Sequence, residues 1–447
     1  MDELAHYILI VALVEDKTFI VNKYVDVAYW VVGYYEGNHY IAKAPGLSFL
    51  GIPIYIASKF LGNYIPIFTE YQFILISFVA FLSSLTVVLV YDMCHLFECK
   101  ERTAIITSLL YAFGTIAWTD SKMLDDASVS PFFILLGIYL LLRTLKANDM
   151  TRIRENMYIF LAGLSLGYSL LVEYTNAVII FPCIIWYMFQ SQGKSLRVKD
   201  SSFYIFIIPI LLCLSSIFAL DYFLYGSPFE NPYRHKYTGS GVIGFNITNI
   251  PNSLFFLLFY AEGGGGGSLF LYQPLIFITS SFGLILMYKQ FKEEALLFLI
   301  SISSNILLFS LREPRTNINH HIGPAYMAAI LPLILIFTAF TIEYFSSQDV
   351  TKIRKRIFWG IFISLFSFSI VILGICVLAF HIDVMAASIA YLKAFELLQS
   401  GYLDPRLLKH RFIPVFAGIF IFLVVFEAYI KKLYDSIVQA TSERMSS

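Results

Sequence analysis

The residues equipped for chemistry are carboxylates near the ends of apolar runs and cations set among them. Asp2 and Glu3 open the chain, just ahead of a short amphipathic stretch, "LAHYILIVALVED". Such a stretch suits the membrane interface rather than a crossing. Asp125 and Asp126 stand in "KMLDDASVSPFF", where an apolar run begins, and Glu173 stands between two runs in "LLVEYTNAV". The cations are Lys43, Arg234, His235, Lys236, Arg312, Arg315, His320 and His321. Cations hold a phosphate through charge-assisted hydrogen bonds. A carboxylate takes the proton of an attacking hydroxyl. Together the two sets suit a hydroxyl acceptor and a donor with an anionic lipid headgroup. Each residue also has a plainer role open to it. Aspartate caps helix N-termini, Glu173 suits a solvated turn, and Lys or Arg at a membrane edge snorkels to headgroups.

The elements that must position these groups are apolar. Of 447 residues, 58% are hydrophobic and 14% charged, too few polar side chains to cover a soluble protein of this size. Runs of the length a bilayer crossing needs recur near 44–61, 71–93, 102–118, 130–146, 156–172, 174–190, 203–223, 268–288, 294–311, 324–345, 356–381 and 411–430. They are too long and too continuously apolar for barrel strands. The expected fold is therefore all-α, a polytopic membrane protein of about 11–12 transmembrane helices, since helices satisfy their own backbone in lipid.

Basic residues crowd alternate loops: Lys100 and Arg102; Lys146, Arg152 and Arg154; Lys194, Arg197 and Lys199; Lys289 and Lys292; Lys352, Arg354, Lys355 and Arg356; Lys431 and Lys432. That side is read as cytoplasmic. The carboxylates and cations named above then share the outer side. Residues 1–43 form an outer interfacial segment with the acidic motif. Residues 44–430 form the transmembrane domain, with the outer loop 224–267 over the site, and 431–447 a cytoplasmic tail. For Lys43 to lie outside with 62–70, the run 44–61 must be broken or re-entrant, and Pro45, Gly46, Gly51 and Pro53 favour that. The five glycines at 263–267 read as a hinge or a linker.

Other chemistries are disfavoured. The formal net charge is zero, so no nucleic-acid partner is expected. No Walker loop, GxGxxG, GxSxG or HExxH sits on a suitable element. Cys94, His95 and Cys99 are too few for a metal site, the His320–His321 pair has no third ligand at suitable spacing, and no clear DxD pair is present, so no metal or cofactor is expected. The acidic "MDELAH" start argues against a cleavable signal. Without a nucleotide cradle, the donor of a transferase here would be lipid-linked.

Two segments carry a resemblance: "DELAHYILIVALVEDKTFIVNKY" and "YYEGNHYIAKAPGLSFLGIPIY". In order and spacing they resemble the GT-C superfamily of membrane glycosyltransferases, in particular members related to protein mannosyltransferases and aminoarabinose transferases. The shared pattern is an acidic pair, an interfacial helix and a hairpin-like segment ending in KAPG or KPP. "SKMLDDASVSPFFILLGIYLL", "GLSLGYSLLVEYTNAVIIFP", "LFLYQPL" and "HHIGPAYMAAILPLILI" are similar to later segments, so the resemblance runs over most of the chain.

The resemblance implies an enzyme that moves a sugar from a polyprenyl- or dolichyl-phosphate carrier to a glycan, protein or lipid acceptor, with inversion. It casts Asp2 as the catalytic base, with Glu3 its neighbour, and Asp125 or Asp126 as shaping a sugar site. Lys43 would contact the lipid phosphate, with Tyr40 on the same segment a further substrate-binding residue. Arg315, His320 and His321 would make further phosphate or sugar contacts. The alternative from another class is a transporter or lipid flippase. It is disfavoured because the span interiors are nearly free of charge, with Glu173 and Asp221 near span ends, and because no half-to-half repeat is evident. Asn246-Ile-Thr248 is a glycosylation sequon on the assigned outer side. In a host with that machinery, wild type should carry a glycan that Asn246→Gln lacks, read as a mass difference; an unmodified Asn246 counts against the side assignment.

Overall fold

A computed structural model describes residues 2–29, 31–62, 71–146, 150–190, 201–230, 232–235, 245–259, 268–312, 324–348, 350–378 and 390–400. Its principal helices are α1 (Asp2–Val11), α2 (Gly46–Gly62), α3 (Tyr71–Leu96), α4 (Glu101–Gly114), α5 (Asp126–Lys146), α6 (Arg152–Val172), α7 (Ala177–Phe189) and α8 (Ser201–Tyr225). They continue as α9 (Ile250–Leu258), α10 (Pro274–Gln290), α11 (Lys292–Ser310), α12 (Leu331–Ser346), α13 (Lys352–Leu378) and α14 (Ala390–Gln399). Seven helices among the described residues are long and apolar enough to cross a membrane: Ser77–Leu96, Asp126–Lys146, Arg152–Val172, Ser201–Tyr225, Lys292–Ser310, Ala325–Ser346 and Lys352–Leu378. The protein is thus a multi-pass helical membrane protein.

Other expected runs form shorter helices. The run 102–118 yields α4, which stops at Gly114 where Thr115 turns to extended backbone, and a separate turn, Ala117–Asp120, follows. The run 44–61 is α2, with Pro53 inside it. The run 411–430 lies outside the described residues.

The bundle is centred on α12, where Leu331 through Ile342 are all buried. Against lipid, apolar burial does not drive helix pairing, so close backbone approach has to supply it. Glycines allow that approach at two crossings. Gly163 of α6 meets α8 so closely that a Cβ would lie 2.1 Å from the Phe206 carbonyl oxygen. At Gly283 of α10 the same Cβ would lie 1.6 Å from the Phe337 oxygen of α12.

Helix direction places the chemistry. Near the start of α5, Ser83 Oγ of α3 donates to the Ser128 carbonyl at 3.5 Å, and at its far end Lys146 Nζ donates to the Leu96 carbonyl at 3.4 Å. So α3 and α5 run parallel, from the end that carries Asp126 toward the end that carries Lys100, Arg102 and Lys146. At the Asp126 end sits the only sheet among the described residues, an antiparallel hairpin of β1 (Val32–Tyr35) and β2 (Asn38–Ile41). Its two-residue turn is Glu36-Gly37, with φ of +44° and +84°, the left-handed pair a tight hairpin needs. The chain then passes Lys43 and starts α2 against the end of α6, where Tyr168 Oη donates to the Gly46 carbonyl at 2.8 Å.

Gly283→Leu should force α10 from α12 and cost about 3 kcal/mol by overpacking. Thermal unfolding in detergent should show a melting temperature several degrees lower; an unchanged one would mean that the two helices separate freely.

Candidate functional site

Four segments distant in sequence meet at the Asp126 end of the bundle. Asp126 opens α5 and its residue is 4% exposed. Its Oδ2 lies 3.0 Å from Lys43 Nζ, and its Oδ1 lies 2.7 Å from His6 Nε2. His6, on α1, is fully buried, and its Nδ1 lies 3.2 Å from Ser48 Oγ of α2. The carboxylate therefore bridges the Lys43 ammonium and the His6 imidazole, both from the N-terminal segment. Lys43 reaches it because the hairpin ends two residues earlier and α2 begins three residues later, which fixes a short extended link at the base of both.

The neighbouring acids have different duties. Asp125 accepts at Oδ1 from the Ala127 N–H at 3.0 Å, the N-cap role for α5. Glu3 accepts from the Leu124 N–H at 3.2 Å and so pins α1 to the loop ahead of α5. Asp2 begins α1 one helical turn before His6, and its side chain lies outside the described residues. Arg315, His320, His321 and Lys236 lie outside them as well. Tyr40 is described and packs on Tyr225, ring centroids 5.5 Å apart. Of the expected site residues, the fold thus joins Lys43, Asp126 and Asp125 around one cavity and sets Tyr40 beside Lys43 on its other flank. Arg312 stacks over Tyr326 at 4.9 Å.

Glu173 belongs to the site, although its sequence setting reads as a solvated turn. It follows the last residue of α6 and accepts from the Thr175 N–H and hydroxyl at 3.2 and 3.1 Å. It borders a cavity of about 60 Å³ with Lys43, Asp126, Asn176, Asn305 and Tyr326. Desolvation there, reinforced by Asp126 and opposed by Lys43, pushes its carboxyl up to about 7. His6, Asn176 and Asn305 carry no sequence signal of comparable strength; the one hint is that His6 shares a helix face with Asp2. Among the described residues no group of three or more His, Cys, Asp or Glu side chains is placed to hold a metal ion.

The cavity adjoins a much larger apolar groove. Between α7 and α11 runs a groove of about 980 Å³, lined by residues such as Val178, Phe181, Ile185, Leu297, Ile300 and Leu308. It reaches from Gln190 and Glu293 at the basic end to Ala177 and Leu311 at the other. There the same two helical segments supply Thr175, Asn176, Asn305 and Phe309 to the polar cavity. Groove and cavity therefore lie on different faces of the same two segments and share no lining residue.

The raised pKa of Glu173 sets a pH dependence. The unfolded chain has Glu173 near the ordinary 4.5, the folded chain near 7. The neutral form is the one the fold favours, so its contribution is complete below about 4.5 and is lost as pH rises to about 7. Melting temperatures across that window should fall more steeply in wild type than in Glu173→Gln; parallel curves would place Glu173 in water.

Residues 19–230 match the family model described as dolichyl-phosphate-mannose-protein mannosyltransferase. No curated protein matches the chain. Among solved structures, the archaeal oligosaccharyltransferase AglB from Archaeoglobus fulgidus, in complex with an inhibitory peptide and a dolichol-phosphate, is similar at 11% identity and a TM-score of 0.46, over 88% of this chain and 51% of AglB. ArnT from Cupriavidus metallidurans, bound to undecaprenyl phosphate, is similar at 14% identity and a TM-score of 0.48, over 86% of this chain and 62% of ArnT. The chain thus spans between half and two thirds of the length of these proteins. The stretch similar to that family model covers just under half of the chain and includes the hairpin, Lys43, Asp126 and Glu173.

Proposed function

We propose that the protein is a membrane glycosyltransferase that takes its sugar from a polyprenyl- or dolichyl-phosphate carrier and passes it to a hydroxyl acceptor on the outer side. The observation that carries the reading is the buried Lys43–Asp126 pair, in a polar cavity whose α7 and α11 segments also line a large apolar groove. A lipid-linked sugar is an apolar tail, an anionic phosphate and a polar ring in sequence. The groove suits the tail, and Lys43 suits the phosphate. Residues 46–62 lie as an interfacial helix in this reading, because α2 starts at the site and α3 runs away from the same end.

The reaction is a displacement at the anomeric carbon. An acceptor oxygen forms the new bond as the carbon–oxygen bond to phosphate breaks on the opposite face, which inverts the configuration. The bonding pair leaves with the phosphate, whose added charge Lys43 offsets as Asp126 releases it. The acceptor proton goes to a carboxylate. Asp2 is assigned that role, and His6 and Lys43 hold Asp126 where it orients the sugar or acceptor. Lys43 interacts most strongly with the departing phosphate, so its effect falls on the transition state.

The full-depth groove would also suit a lipid flippase, and catalysis separates the two. With a radiolabelled lipid-linked sugar, membranes holding wild type should release label to an acceptor. Lys43→Ala should insert normally and lose at least about a hundredfold in rate. Equal rates in both would remove Lys43 from the site, and no transfer by wild type would favour transport.

A further inference from the structure

A second cavity lies on the other flank of Lys43. It is bounded by Tyr40, Lys43, Tyr174, Asp221 and Tyr225, with a volume of about 20 Å³. Lys43 lines both cavities, so it is the wall between them. The cavity of Asn176 and Asn305, Lys43 and the cavity of Asp221 follow one another in that order.

Asp221 lies in the last turn of α8 and is 7% exposed. Among the described residues no hydrogen-bond donor or cation pairs with its carboxylate, and the like-charged Glu230 acts on it. A carboxylate is an acceptor alone, with several lone pairs to satisfy. Buried without a partner it is costly, and near a span end such a group marks a site that expects a ligand. The aromatic wall beside it is fixed in place. Tyr35 Oη donates to the Tyr225 carbonyl at 2.9 Å, and the Tyr225 ring stacks on His235 at 5.2 Å. His235 is in turn held by Glu230 at 3.1 Å.

We infer that Asp221, with the rings of Tyr40 and Tyr225, binds the glycosyl ring of the lipid-linked donor and selects among sugars. The inference rests on the glycosyltransferase reading. A donor with its phosphate at Lys43 has its sugar just beyond, in the Asp221 cavity. Sugar hydroxyls supply the donors that Asp221 lacks, and the ring's C–H face suits the tyrosines. Both cavities are narrower than a sugar ring, so binding requires their shared wall to move; Lys43 moves when it exchanges Asp126 for phosphate. A site built to receive hydroxyls discriminates strongly against a ligand that lacks them.

The test is equilibrium binding to the full chain in lipid nanodiscs, with three probes: dolichyl phosphate, dolichyl-phosphate mannose and dolichyl-phosphate glucose. Wild type should hold one glycosylated lipid more tightly than dolichyl phosphate and the other less well. Asp221→Asn should weaken the preferred glycosylated lipid about tenfold, as loss of a charge-assisted hydrogen bond does. Its affinity for dolichyl phosphate should stay within twofold. The unliganded melting temperature of Asp221→Asn should hold or rise, since an unpartnered buried charge is removed. Unchanged glycosylated-lipid affinity in the variant overturns the inference. So does equal loss on all three lipids, or a wild type that does not distinguish them. A wild type that binds no dolichyl phosphate overturns the glycosyltransferase reading itself, and with it this assignment.

Discussion

One ion pair at the rim of the bundle organises the rest. Lys43 and Asp126 are 83 residues apart and 3.0 Å distant, with side chains 11% and 6% exposed. A buried pair contributes little net stability, because desolvation offsets its attraction, but removing one partner leaves the other stranded at about 3–5 kcal/mol. Such a pair tolerates exchange and resists deletion. If an incoming phosphate replaces Asp126 at Lys43, the lysine keeps an anionic partner, and His6 keeps one for Asp126. The hairpin, α1 and the start of α2 hold His6 and Lys43 against the first turn of α5, with Ser48 of α2 behind His6.

The helical scaffold follows different physics. In lipid the core and the lipid-facing surface are both apolar, so residue polarity does not say which helix is central. The burial of α12 on all sides comes from packing, with Gly283 admitting the Phe337 backbone of α12 to near contact. Ion pairs occur at both ends of the bundle, where water, headgroup and protein meet, and the buried Lys43–Asp126 pair lies at one of them.

This division explains what could be read from the sequence. Apolar length and the Lys and Arg of alternate loops are local properties, and they suffice for a multi-pass helical protein and for the two ends of the bundle. The hairpin was legible through its KAPG terminus, and Lys43 through the oddity of a cation before an apolar, proline-bearing run. Asp126 and Asp125 were legible only as a pair: one caps α5 and the other joins Lys43 and His6, a distinction made by which oxygen faces which helix. Glu173 read as a turn because nothing local shows that α11 and the segment at Tyr326 enclose it. His6 and Asp221 are lone polar residues in apolar stretches, and their meaning rests on contacts with segments tens to hundreds of residues away. The run 102–118 was too long by its last turn, since hydropathy does not register the break at Thr115.

The most direct measurement is a cryo-electron microscopy structure of the full chain in nanodiscs with dolichyl phosphate bound. The account predicts the phosphate within hydrogen-bond distance of Lys43 Nζ, Asp126 displaced from it but still against His6, and the first isoprene units in the groove between α7 and α11. A lipid phosphate bound elsewhere, with the Lys43–Asp126 contact intact, would contradict it.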